Sequence, residues 1–100
     1  MKQRRQIRHI TKEMEEAART GRCHADLVRL NGIMIRRFGS INRAADAAGI
    51  DRAKLHRRMN GDGEFTTEEI LRLAFACKMS HEETSEIFFY RYLGKELQRT

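Results

Sequence analysis

Apolar side chains recur along this chain at helical intervals, while no stretch alternates apolar and polar residues for long. Ile7, Ile10, Met14 and Ala17 or Ala18 are spaced by three and four, one stripe of a helix over about Lys2 to Thr20, with Gly21 as its C-cap. Leu27, Leu30, Met34 and Phe38 form the next stripe, flanked by Val28 and Ile33, which predicts a helix over His24 to Phe38 closed by Gly39. Gly32 costs that helix about 1 kcal/mol relative to alanine. Ser40 is placed to cap a short helix, Ile41 to Ala48, that ends at Gly49. Asp51 caps another, Arg52 to Met59, that stops at Asn60-Gly61.

Two capping boxes open the remaining segments. Thr66-Thr67-Glu68-Glu69 precedes the stripe Ile70, Leu73, Ala74 and Cys77, and Ser80-His81-Glu82-Glu83 leads to Ile87, Phe88 and Phe89. Proline is absent, so glycines and caps supply the punctuation, and no internal repeat or low-complexity tract appears. Five or six helices in 100 residues predict a compact all-α domain over residues 23–100, preceded by a basic amphipathic helix or arm over residues 1–22.

Charge adds a direction. The net charge is +6, from 20 Lys and Arg against 14 Asp and Glu, which raises the expectation of an anionic partner. The excess is local: residues 1–63 carry 15 basic and seven acidic side chains, residues 64–100 five and seven. One cluster is Lys2, Arg4, Arg5, Arg8 and Lys12; a second is Arg52, Lys54, Arg57 and Arg58, with His56 among them. Two clusters with a reversed sign beyond them favour a basic face aimed at one ligand over a merely solvated helix.

Other chemistries find little support. No apolar run approaches the roughly 18–20 residues that span a bilayer, so no membrane partner is expected. Cys23 and Cys77 are too few for a disulfide framework, which makes a reducing cytoplasm the expected compartment. Cys77 and His81 have a four-residue spacing open to zinc, but Ser80 begins a new helix between them and Cys77 falls on the buried stripe. His9, Cys23, His24 and His56 supply no matching second pair. No cofactor loop and no catalytic constellation is present, so an enzyme is not expected.

The segment from Ser40 to Gly61 reads as a helix-turn-helix. Ala45 sits where two helices must meet closely, and Gly49 where the turn needs positive φ. Ile50, Leu55 and Met59 form the buried side of the second helix, leaving Arg52, Ala53, Lys54, His56, Arg57 and Arg58 outside. A helix with one apolar edge and a cationic outer face suits the DNA major groove, where arginine pairs with guanine edges or grips phosphates.

The stretch FGSINRAADAAGIDRAKLHRRMNG, followed by FTTEEILRLAFACKMSHEETSEIFF, resembles the Xre/Cro-type helix-turn-helix domains of phage repressors. Ala45, Gly49 and Leu55 match the family's spacing, and Asn60-Gly61 its helix end. The resemblance covers residues 27–89 and implies a five-helix, lambda-repressor-like domain that binds double-stranded operator DNA as a homodimer and regulates transcription. It maps base-reading positions to Arg52, Ala53 and Arg57, with Lys54 and His56 beside them, and phosphate contacts to Ser40 and Arg43. Ile41 stands where many members have Gln, and Arg58 where an apolar residue is usual, so Met59 is expected to take over that packing.

Outside this pattern, the basic arm of residues 1–22 suits a DNA groove, phosphates or a protein partner. Four aromatics fall in Phe88–Tyr92, more than one small core absorbs; Tyr90, Tyr92, Leu93 and Leu97 are the candidates for a dimer interface. The alternatives to a nucleoid-associated regulator are an antitoxin- or antirepressor-like interaction module, docking through its N-terminal helix, and a DNA-packaging or recombination accessory protein.

Overall fold

The computed structural model of the chain describes residues 12–94. Among the described residues six α-helices run in order: α1 Lys12–Thr20, α2 Leu27–Phe38, α3 Ile41–Ala48, α4 Arg52–Met59, α5 Thr67–Ala76 and α6 His81–Thr84. The last passes directly into a π-helix, Ser85–Gly94. Two two-residue strands, β1 Arg22–Cys23 and β2 Phe65–Thr66, pair antiparallel with Arg22 opposite Thr66 and Cys23 opposite Phe65. The architecture is mostly helical, in line with the all-α expectation. No helix among the described residues is long and apolar enough to cross a membrane. The arm cluster Lys2, Arg4, Arg5 and Arg8, with Ile7 and Ile10, lies outside the described residues, as does Leu97.

The caps are where the sequence places them. Ser40, Asp51, Thr66 and Ser80 each accept a hydrogen bond from the backbone N–H three residues on. Thr66 and Ser80 close full capping boxes with Glu69 and Glu83. One boundary differs: α2 begins at Leu27 rather than His24, capped by Asp26. The strand pairing holds Arg22 and Cys23 extended, and the Asp26 N–H donates to the Ile87 carbonyl at 2.8 Å, so the chain is committed elsewhere until Asp26. Strands this short leave no alternation for a sequence pattern to reveal.

The core gathers Leu30 and Met34 of α2, Ala44, Ala45 and Ala48 of α3, Leu55 of α4, and Ile70 and Leu73 of α5 around Phe65 and Phe88. The two phenyl rings meet edge to face, 5.5 Å between centroids at 69°. Three alanines on one short helix let α2, α4 and α5 approach α3 closely. Adjacent Ile87 and Phe88 are both buried, and Tyr92, five residues beyond Ile87, packs against the same core. That spacing follows the i→i+5 bonding of a π-helix, which the α-helical reading of this segment does not anticipate.

The α3–α4 turn requires its glycine through the backbone, at positive φ. Gly49 has φ +71°, and a Cβ there would lie 2.8 Å from the Arg72 guanidinium. That guanidinium donates to the Ala48 carbonyl at 3.3 Å, satisfying the end of α3. Arg37 likewise donates to the Cys77 carbonyl just past α5. Two of the chain's cations are therefore used to close helix ends.

Candidate nucleic-acid interface

Helix α4 is held along both edges. On the α3 side, Asn42 and Asp46 lie four residues apart on α3, and Arg52 and His56 four apart on α4. Arg52 donates twice to Asp46, Nε to Oδ1 at 3.0 Å and a terminal nitrogen to Oδ2 at 2.6 Å. His56 Nε2 sits 2.9 Å from Asn42 Oδ1, which accepts its hydrogen. These two rungs fix how α4 crosses α3. The Arg52 hydrogen bonds, aided by its charge, outweigh the opposing effect of burial and hold the Asp46 carboxyl below the usual carboxylate range.

On the other edge, Arg58 donates from Nε and a terminal nitrogen to the two carboxylate oxygens of Glu69 in α5, at 3.0 and 3.2 Å. Lys54 Nζ approaches the same carboxylate at 3.9 Å. Glu69 also accepts the Thr66 N–H as the return half of the α5 capping box. Its side chain is 8% exposed. Burial pushes this carboxyl up, but the Arg58 hydrogen bonds, the Thr66 N–H and the Arg58 and Lys54 charges together outweigh it and hold the group below its usual value.

Arg58 corrects the sequence reading. Its side chain is only 17% exposed, turned inward to Glu69 rather than outward. The expected substitution of Met59 into the packing does occur, since Met59 lies against the core. Arg58, three residues after Leu55, flanks the buried edge of α4 and meets an acid that burial would otherwise penalise. Along the sequence Glu69 reads only as the return half of a capping box, and its pairing with Arg58 emerges once α5 packs beside α4.

What remains outward on α4 is a narrow strip of Ala53 and Arg57, flanked by exposed Lys54 and His56. Arg57 has no ionic or hydrogen-bond partner for its side chain among the described residues. Neither does Arg43, one turn into α3, which is also exposed. Ser40 is half-buried, and its hydroxyl oxygen is committed to the Arg43 N–H at 3.1 Å. Ser40, Arg43, Ala53, Lys54, His56 and Arg57 are exposed or half-buried on the α3–α4 pair, with Lys54 on the edge toward Glu69 and His56 on the edge toward Asn42. The structure assigns Arg52 and Arg58 internal partners. Asn42 and Asp46, which position the site, were not singled out from the sequence, and Glu69 only as part of a cap, because their partners lie on other helices.

Elsewhere the sequence candidates resolve differently. Cys23 and Cys77 are buried free thiols, and burial pushes both up from the ordinary thiol value. Among the described residues no three His, Cys, Asp or Glu side chains are placed to hold a metal ion. Tyr92 is turned to its own chain: its ring packs on the core and its hydroxyl accepts the His24 N–H at 2.9 Å. The side chains of Tyr90 and Leu93 lie outside the described part. Among the described residues the exposed large apolar side chains are instead Val28, Ile35, Leu71 and Phe75.

Compared with family models, curated proteins and solved structures, the chain has no match.

Proposed function

We propose that this chain is a sequence-specific, DNA-binding transcriptional regulator of the phage or bacterial repressor type. In this reading α3 and α4 form a helix-turn-helix within a lambda-repressor-like domain, and the protein binds double-stranded operator DNA as a homodimer with α4 in the major groove. The observation that carries it is the contrast among the α4 cations. Arg52 is held by Asp46 at the surface and Arg58 by Glu69 at the edge of the core, while the exposed Arg57 has no side-chain partner among the described residues. Ala53 beside it is small enough to let a base edge approach closely.

The roles follow from that placement. Arg57 reads a base edge, where two parallel N–H donors suit guanine. Arg43 and the Ser40 end of α3 grip a phosphate, aided by the backbone donors of a helix N-terminus. Lys54 and His56 flank the groove. Arg52 and Arg58 are positioning residues, holding α4 so that little order is lost on binding. Occupying a promoter then blocks or recruits polymerase sterically.

A gel-shift titration on the DNA upstream of its own gene, over a salt series, tests this. A retarded band should weaken with salt at a logarithmic slope near −0.9 per phosphate contact. Absence of any retardation at low salt, on that DNA and on a random genomic library, would overturn the reading.

A further inference from the structure

Helix α4 is eight residues long, about 12 Å, so its outward face is small. Leu55, 1% exposed, marks the buried side. At about 100° per residue, Lys54 and Arg58 fall to one flank of Leu55, and Arg52 and His56 to the other. The contacts agree with that wheel. Lys54 and Arg58 meet Glu69 of α5, while Arg52 and His56 meet Asp46 and Asn42 of α3. Ala53 and Arg57, two residues before and two after Leu55, each lie within about 20° of the point diametrically opposite it. Both are exposed.

Anything that enters along this outward line meets one methyl group and one guanidinium. Their chemistries are opposite. The Ala53 methyl has no donor or acceptor, so a polar base edge pressed against it loses water and gains no hydrogen bond. The apolar feature that the major groove displays is the C5-methyl group of thymine. The Arg57 guanidinium, with no side-chain partner among the described residues, matches the paired O6 and N7 acceptors of guanine. Four residues advance the helix by about 6 Å, against about 3.4 Å per base pair, which sets the two bases about two steps apart.

We infer that Ala53 reads the C5-methyl group of a thymine while Arg57 reads a guanine about two base pairs away, so that each half-site is specified by this pair of side chains. The inference rests on the DNA-binding reading above and adds the base that Ala53 selects. The four edge cations and histidine of α4 hold or flank the helix and read no base.

Selection of sites from a random double-stranded DNA library with the full chain, followed by gel shifts on the selected site, tests it. The site should hold a thymine about two base pairs from a guanine. Deoxyuridine in place of that thymine removes only the methyl group, and should weaken binding about 4-fold per half-site, the worth of one buried carbon. Ala53→Gly, shown by circular dichroism to be folded, should bind the thymine and deoxyuridine sites equally. Ala53→Gln, which keeps a good helix former, should move the preference at that base pair from thymine to adenine by roughly 5-fold or more. Equal binding of the two sites by the unaltered chain would overturn the inference. So would a methyl dependence that survives in Ala53→Gly, or a thymine preference that survives in Ala53→Gln. A selected site without such a thymine removes this inference and leaves the DNA reading standing; a library from which no site is enriched removes both.

Discussion

Helices α4 and α5 are neighbours joined through Glu69, and their outward faces are opposites. The outward strip of α4 is cationic, and its remaining charges are tied back to Asp46 and Glu69. The outward face of α5 is apolar, carrying Leu71 and Phe75. Both helices bury their inner faces in one core, so folding accounts for half of each and leaves the other half unexplained. The difference teaches what kind of partner each surface suits. An unpaired guanidinium on a rigid helix suits an anion, and an exposed phenyl ring suits another protein surface.

The comparison depends on Glu69, the joint between the two helices, so the largest expected effect lies there. Glu69→Ala leaves the Arg58 guanidinium half-buried without its carboxylate and removes half of the α5 capping box. Breaking a buried ion pair from one side costs about 3–5 kcal/mol, and urea unfolding should show a loss of that size. DNA affinity should fall as well, because α4 loses one of its two anchored edges. A change within about 0.5 kcal/mol would mean that the joint is not structural, and would return Arg58 to the outward set.

Next in size is the outward residue of α4 itself. Arg57→Ala should cost about 1–3 kcal/mol of specific DNA affinity and relax the preference at one base pair, with thermal stability unchanged. Arg43→Ala should instead weaken binding to all sequences alike and lower the salt slope by about one contact. Quantitative gel shifts on matched and mismatched sites read both. Equal losses on specific and random DNA for Arg57→Ala would make it a phosphate contact rather than a reader.

Acid probes the same joint more gently. The Glu69 carboxyl is held below its usual value when folded, so the stability it contributes is fully present above the ordinary glutamate pKa of about 4.3. That contribution is lost as the pH falls through the lower, folded value. Exposed Asp46, held down by Arg52, changes in the same direction. Urea midpoints measured from pH 6 to pH 2.5 should fall on the acid side, and Glu69→Gln, which cannot titrate, should flatten that fall. An unchanged acid limb in the variant would place the responsible carboxylates elsewhere.

Much of this arrangement was legible along the chain, and the reason is locality. The caps of Ser40, Asp51, Thr66 and Ser80, and the turn at Gly49, each involve residues within a few positions, so spacing reveals them. The inward turn of Arg58, the Asn42–His56 rung and the strand pairing that delays α2 depend on partners 11 to 44 positions away. Residue type alone places Arg58 with Arg57; only the packing of α5 separates them. Phe75 escaped notice for the converse reason. An aromatic on a helix with a good apolar stripe reads as core, and only the assembled bundle shows that the stripe is already complete without it.

That last distinction also sets the smallest expected effect. In the core of α5, Leu73 is fully buried, and Leu73→Ala should cost about 2–5 kcal/mol. Phe75, two positions on and 88% exposed, touches too little of its own chain to matter to the monomer. Phe75→Ser should therefore change unfolding stability by no more than about 0.5 kcal/mol. Urea denaturation of the two variants side by side checks both statements, and a loss of about 1 kcal/mol or more for Phe75→Ser would mean that the ring belongs to the chain's own core.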